Sequence, residues 1–271
     1  MSSRTADKKI DSGSPPSNGR APVVCVHARG DRAAEQHMLD FFTKLGWPGW
    51  SPEIEEKGKA GPDQPGQLLI EHVRRYPGHA LLLIDAGLSI TASAVKTLTG
   101  LMEELAPADD NAIVLTALSN AETYLNPYAG LDTSSRDETP AGSWEFLVSL
   151  LGQGRLYEHQ HWPDHLLFFS SGAIRILAQA DINPDNALSR LRSQDGRLLV
   201  ADHCFIHDPR QGLFDQSRLE PHEERRPPAW GSLVQRLDIW LRNDPARVNE
   251  LLADDFLAND KPLTLHVTHS W

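Results

Sequence analysis

Asp85 is the residue of this chain best placed to do chemistry. It closes a continuous apolar run, Leu81-Leu82-Leu83-Ile84, and is followed by Ala86-Gly87 and a polar turn. A run of that kind reads as a strand buried on both faces, so Asp85 falls at the carboxyl end of a central strand. In open α/β sheets the crevice beyond those ends is where ligands bind. Other polar residues close similar runs. Arg29 lies in the turn after Ala21 to His27, and its planar fork matches phosphate better than the His27 ring does. Ser119-Asn120 follow the apolar run Ala112 to Leu118, and His207 ends the run Leu198 to His207. Each also has a plainer role, because Ser-Asn after a strand is ordinary turn chemistry and a histidine closing a strand commonly bonds locally.

Three further histidines, His159, His161 and His165, suggest a metal cluster at first sight. Their spacing, with Trp162-Pro163 between and no cysteine nearby, fits no common zinc pattern, and loop packing is the simpler role. The run His222-Glu223-Glu224-Arg225-Arg226 reads as a solvated, self-paired charge patch. No GxGxxG, P-loop, CxxC or Gly-x-Ser-x-Gly motif is present, so oxidoreductase, NTPase and serine-hydrolase functions have no positive support.

These residues need elements to hold them. Residues 1–20 are rich in Ser, Pro, Gly and charge and read as a disordered leader. Arg32 to Leu45 has apolar residues at three- and four-residue spacing and predicts a helix. Gly46 to Gly66 is irregular, and no second strand can be drawn there. Gln67 to Tyr76 predicts a short helix stopped by Pro77-Gly78. Ala92 to Leu105 predicts a helix with Val95, Leu98, Leu101, Met102 and Leu105 on one face. Residues 121–143 form a long loop, of a length usually functional or disordered. Trp144 to Leu151, Gly172 to Gln179 and Asn186 to Ser193 predict helices, Leu166 to Ser170 a strand, and Leu198 to His207 one or two strands. Two helices follow between Trp230 and Leu257, the second capped by Asp244 with Pro245 in its first turn.

With 271 residues the chain suits one large α/β domain with tails. Lys plus Arg number 26 against 37 for Asp plus Glu, a formal charge of −11, with no basic stripe. Nucleic acid is therefore not an expected partner. Cys25 and Cys204 fall in apolar runs and read as buried, reduced thiols suited to a cytoplasm. No apolar segment approaches the roughly 20 residues that span a bilayer, and the N-terminus lacks a signal peptide's apolar core. The expected location is cytoplasmic, peripheral at the inner membrane through partners.

Taken in order, LLLIDAGLSITASAVKTL, VLTALSN, LLFFSSGAIRIL and LSRLRSQDGRLLVADHCFIHD with Gly212 and Phe214 resemble a family 2 glycosyltransferase of the GT-A fold. The rhamnosyltransferase-like branch, which builds bacterial surface polysaccharides, is the nearest in flavour. The resemblance covers about residues 21–215. It implies a Rossmann-like α/β domain with a mixed, mainly parallel sheet and helices on both faces, followed by a helical extension over 216–271. It also implies transfer of a sugar from a nucleoside-diphosphate donor to a glycan acceptor, with Mg²⁺ or Mn²⁺ stabilising the leaving diphosphate.

Three positions depart from that pattern. The family's Asp-x-Asp reads Asp85-Ala86-Gly87, leaving Asp85 as the one carboxylate, a weakened site that with waters and the diphosphate can still hold Mg²⁺ or Mn²⁺. Aligning Leu188 puts Ala187 where the acceptor-activating base belongs, with Asp185 two residues away; Asp185 is either that base or a helix cap. The family's nucleotide-contacting acid on a second strand has only Glu53 and Asp63 as candidates. Arg29, Ser119, Asn120 and His207 are the remaining residues expected to line the donor cleft. The alternative is a GT-A-like binding or scaffold module that has lost the chemistry. The last residues, LTLHVTHSW, resemble the first strand of a GT-B glycosyltransferase, which suggests an N-terminal module that docks on a partner transferase domain or subunit.

Overall fold

The computed structural model describes residues 22–50, 65–106, 111–122, 125–128, 141–152, 154–159, 163–178, 187–211 and 237. Asp185, Glu53, Asp63, His161, the leader, the 222–226 charge run and the chain's last residues lie outside them. Among the described residues the chain is an α/β protein with seven strands in a mixed sheet. It divides into two compact units. The first comprises residues 1–86, 102–114 and 166–197, and the second 87–101, 115–165 and 198–271.

In the first unit, β1 (Val23–His27) and β3 (Leu81–Asp85) are buried at every position. They pair in parallel from Val23 with Leu81 to His27 with Asp85, so both strands end side by side. On the other edge of β1, β2 (Gly49–Trp50) pairs in parallel over two residues, Gly49 with Val24 and Trp50 with Cys25. No second strand was expected here. The backbone makes one, beginning with the Val24 N–H donating to the Pro48 carbonyl at 2.9 Å. The strand is too short to leave a hydropathy pattern. On the far edge of β3, β6 (Leu166–Phe169) runs antiparallel, Leu81 opposite Phe169 and Ile84 opposite Leu166.

The helix α1 (Arg32–Lys44) links β1 to β2, and α2 (Pro65–Arg75) links β2 to β3. The chain steps outward from β1 to β2, then back past β1 to β3. Right-handed crossovers then place α1 and α2 on opposite faces, the doubly wound, Rossmann-like arrangement. Asp31 caps α1, its carboxylate accepting from the N–H groups of Ala33 at 3.1 Å and Ala34 at 3.0 Å. Phe42 of α1 stacks on Trp47 at 5.8 Å between ring centroids, and Trp47 tilts against Phe168 at 6.2 Å. At the far end of β6, Ser170 caps the helix α5 (Ser171–Ala178), its Oγ accepting from the Ala173 N–H at 3.1 Å. The same hydroxyl donates to the Asn111 carbonyl at 2.7 Å. The unit's last helix is α6 (Ala187–Arg192).

The second unit is built on β4 (Ile113–Ser119), whose first two residues count with the first unit, and on β7 (Arg197–Ile206). One strand, not two, therefore occupies the late apolar run. A short β5 (Leu156–Glu158), which the sequence did not suggest, pairs antiparallel with β7, Leu156 opposite Ala201 and Glu158 opposite Leu199. The helix α3 (Ala92–Leu105) has the bounds read from its apolar spacing, and α4 (Ala141–Leu151) starts before Trp144. The core gathers Leu118, Leu125, Tyr128, Trp144, Leu147, Val148, Val200 and Phe205. Tyr128 meets Trp144 and Phe205 edge-on at 5.0 and 5.3 Å, and its hydroxyl donates to the Trp144 carbonyl at 2.7 Å. Leu237, from the expected C-terminal extension, is fully buried in the same cluster. Among the described residues no helix is long and apolar enough to cross a membrane. Cys25 and Cys204 are free and buried.

Candidate functional site

In the first unit the site begins where β1 and β3 end together. The chain leaves β1 for β2 on one side and returns to β3 on the other, so the gap beyond His27 and Asp85 is a topological switch point, the usual ligand crevice of such sheets. The Ala86 N–H donates to the His27 carbonyl at 2.9 Å and holds the two strand ends together. Arg29 follows in the turn with φ 47°, a left-handed conformation that few side chains adopt. That backbone brings its guanidinium back onto β3, with Nε 2.9 Å from Asp85 Oδ2. Asp85 is 3% exposed and Arg29 47%. The acid and the phosphate-binding candidate are thus brought together, as an ion pair.

In the second unit a polar cluster forms around the turn after β7. Asp208 is 1% exposed, and its carboxylate accepts from Arg210 twice, Nε to Oδ1 at 2.8 Å and Nη2 to Oδ2 at 2.9 Å. Burial pushes the Asp208 carboxyl up, but the donors and charge of Arg210, with help from His207, outweigh it and hold the group below its ordinary value. The Asn120 amide clamps the same turn. Its Nδ2 donates to the carbonyls of Asp208 and Gln211, both at 2.8 Å, and its Oδ1 accepts from the Asp208 N–H at 2.6 Å. Ser119 is buried, and its Oγ accepts from the Ala121 N–H at 3.1 Å. The plainer roles of Ser119 and Asn120 are therefore the ones their contacts display.

His207 is joined to Ser89 through the backbone, the Ser89 N–H donating to its carbonyl at 2.8 Å. Burial lowers the proton affinity of its ring, and neighbouring Asp208 pulls it partly back. Gly87, where the family pattern has its second carboxylate, lies against Arg210. A Cβ placed on Gly87 would run into the guanidinium, reaching Nη1, Cζ and Nε.

Asp208 and Arg210 were not singled out by sequence. The signal was there in His207-Asp208-Pro209-Arg210, an acid and a base bracketing a proline at a strand's carboxyl end. Asp202, inside the motif-bearing stretch, ties β7 to the segment before β5 by accepting from the Arg155 N–H at 2.8 Å. His159 and His165 are buried separately. The His159 N–H donates to the Leu198 carbonyl at 2.8 Å, and His165 Nε2 lies 3.1 Å from the Ala117 carbonyl. Glu145 of α4 accepts from the Thr91 hydroxyl at 2.5 Å, and burial pushes its carboxyl up.

Mg²⁺ and Mn²⁺ at a diphosphate are held through one or two carboxylates together with waters and phosphate oxygens. Among the described residues no three acidic, histidine or cysteine side chains come together. Asp85 is engaged by Arg29, and the second acidic position is Gly87. Among the described residues the site therefore offers the Mg²⁺ or Mn²⁺ that the resemblance implies the single carboxylate of Asp85, already paired with a guanidinium.

No protein-family model matches the chain, and no curated protein sequence does either. Among solved structures, a UDP-glucose pyrophosphorylase from Acinetobacter baumanii is similar over 82% of this chain and 73% of that one, at 9% identity and a TM-score of 0.33. A likeness that distant says nothing about function.

Proposed function

We propose that this chain binds a nucleoside-diphosphate sugar beyond the carboxyl ends of β1 and β3 and transfers the sugar to a glycan acceptor in bacterial surface polysaccharide synthesis. The observation that carries this reading is the switch point itself, where two buried parallel strands end at His27 and Asp85 and a guanidinium is folded over the gap. The order of motifs in the sequence supplies the reaction class, which a strand topology alone does not. Asp185 is the proposed base for the acceptor hydroxyl, and a partner transferase domain or subunit is the proposed neighbour in the cell.

A second reading has its own support. Asp85 is occupied by Arg29, and Gly87 by the approach of Arg210, so the chain keeps a ligand crevice with an altered acidic motif. That arrangement suits a module that holds a nucleotide sugar without turning it over.

One pair of measurements separates the two. Calorimetric titration with UDP and dTDP, with and without Mn²⁺, reads binding, and nucleoside-diphosphate release from UDP- and dTDP-sugars with glycan acceptors reads transfer. Binding with release establishes the transferase, and binding without release establishes the module. No binding of either nucleotide under any condition sinks both.

A further inference from the structure

Two opposite charges that satisfy each other are each less available to a third partner, by the cost of parting them. We propose that the Arg29–Asp85 ion pair is an autoinhibitory latch on the crevice of the first unit, in which a phosphate competes with Asp85 for Arg29 and a divalent cation competes with Arg29 for Asp85. This rests on the nucleotide-sugar reading above and adds how access to that site is controlled.

The geometry supplies the competition. Nε of Arg29 and Oδ2 of Asp85 are 2.9 Å apart, the length of a charge-assisted bond, where the parallel strands β1 and β3 end together. The carboxylate is buried and the guanidinium half exposed, so a ligand arriving from solvent meets the arginine before the acid. Burial at one end strengthens the attraction, because charges act more strongly in a low dielectric. Exposure at the other end leaves the arginine room to turn.

The backbone of the turn points the same way. Arg29 holds φ 47° and Gly30 φ 85°, two left-handed residues in succession. A side chain at such a φ is strained and persists there where a contact offsets the strain, and the bond to Asp85 is such a contact. Release of Asp85 and relaxation of the turn therefore go together. By linkage, an anion on Arg29 makes Asp85 more available to a cation, and a cation on Asp85 makes Arg29 more available to an anion. The single carboxylate left by Asp85-Ala86-Gly87 thus admits a cation chiefly in company with phosphate. No covalent bond is made or broken at the latch.

The test is titration of the full chain with two ligands taken singly, UDP in EDTA and Mn²⁺ without nucleotide, for the wild type, Asp85→Asn, Arg29→Ala and the double variant. Asp85→Asn, with the competing charge gone, is expected to bind UDP in EDTA about tenfold more tightly than wild type, and Arg29→Ala to bind Mn²⁺ about tenfold more tightly. Both gains should vanish in the double variant, because each depends on the residue that the other removes. Arg29→Gly, unstrained at φ 47°, carries the Mn²⁺ arm if Arg29→Ala fails to fold. The latch is overturned if Asp85→Asn leaves UDP binding in EDTA unchanged or weaker, if the Arg29 variants gain no Mn²⁺ affinity, or if either gain survives in the double variant. Each of those results leaves the nucleotide-sugar reading standing where wild type binds UDP. Absence of UDP and dTDP binding to wild type under every condition overturns that reading, and this proposal with it.

Discussion

Arg29 Nε lies 2.9 Å from Asp85 Oδ2, so the turn after β1 is tied to the last residue of β3 by an ion pair that is buried at one end and open at the other. The two ends are not equivalent. Without Arg29, a carboxylate that is 3% exposed loses a charged partner; without Asp85, the half-exposed guanidinium can turn toward water.

Arg29→Ala should therefore lower the unfolding free energy by about 1–2 kcal/mol, less than a fully buried pair would cost because the arginine is half exposed. Arg29→Gly should cost less than Arg29→Ala, since glycine adopts φ 47° without strain. A urea-unfolding cycle that adds Asp85→Asn measures the coupling, which should shrink as salt is raised. A coupling of zero at low salt would show that the pair contributes nothing.

His72, in α2, gives the fold a pH dependence. It is fully buried, and burial, opposed by a hydrogen bond at the His79 backbone, lowers its pKa to about 4. Between the ordinary histidine value of about 6.5 and that value, the unfolded chain binds the proton and the folded chain does not. The stability that comes from keeping His72 neutral is complete above about pH 6.5 and is lost as the pH falls toward 4, by about 3 kcal/mol across the window. Urea midpoints of wild type and His72→Gln should diverge across that range, wild type falling more steeply. Parallel curves would assign the acid sensitivity elsewhere.

Much of the fold was legible because burial on both faces writes itself into sequence. Leu81–Ile84 and Val23–Val26 are unbroken apolar runs, and the 92–105 helix shows its 3.6-residue spacing in Val95, Leu98 and Met102. The strands that were missed, Gly49–Trp50 and Leu156–Glu158, are short and are held by backbone pairing to longer neighbours, which leaves no hydropathy signal. The site was legible residue by residue but not in its pairings. Asp85 and Arg29 each stood out, yet nothing in either segment said that one would grip the other. Asp208 was not singled out, and Gly87 read as a lost ligand because Arg210, which lies against it, is far along the chain.

Gly152, at the end of α4, is required by contact, not by backbone conformation. A Cβ there would lie 2.6 Å from the Asp202 carbonyl oxygen and 2.7 Å from His203 Cα. Both belong to the backbone of β7, which cannot give way like a flexible side chain. Gly152→Ala should cost about 2 kcal/mol or more despite alanine's better helix propensity, and should lower the thermal midpoint. An unchanged midpoint would mean that β7 shifts freely at this point.

Asn120 is the most economical test of the turn that carries Asp208 and Arg210. One buried amide satisfies two carbonyls and one N–H, so Asn120→Ala leaves three backbone groups without these bonds and should cost about 2–4 kcal/mol. Asn120→Asp separates donor from acceptor. Its carboxyl can still accept from the Asp208 N–H, but it faces two carbonyl oxygens where the amide donated. Burial and those oxygens disfavour the charged form, so its folded pKa lies above its unfolded one. The stability it retains is present below the unfolded value, near pH 4, and is lost as the pH rises through the folded value. Asn120→Asp should therefore approach wild-type stability in acid and fall behind it at neutral pH, with faster amide exchange at Asp208 and Gln211. A deficit that stays constant with pH would show that the two donated bonds, and not the charge, set the cost.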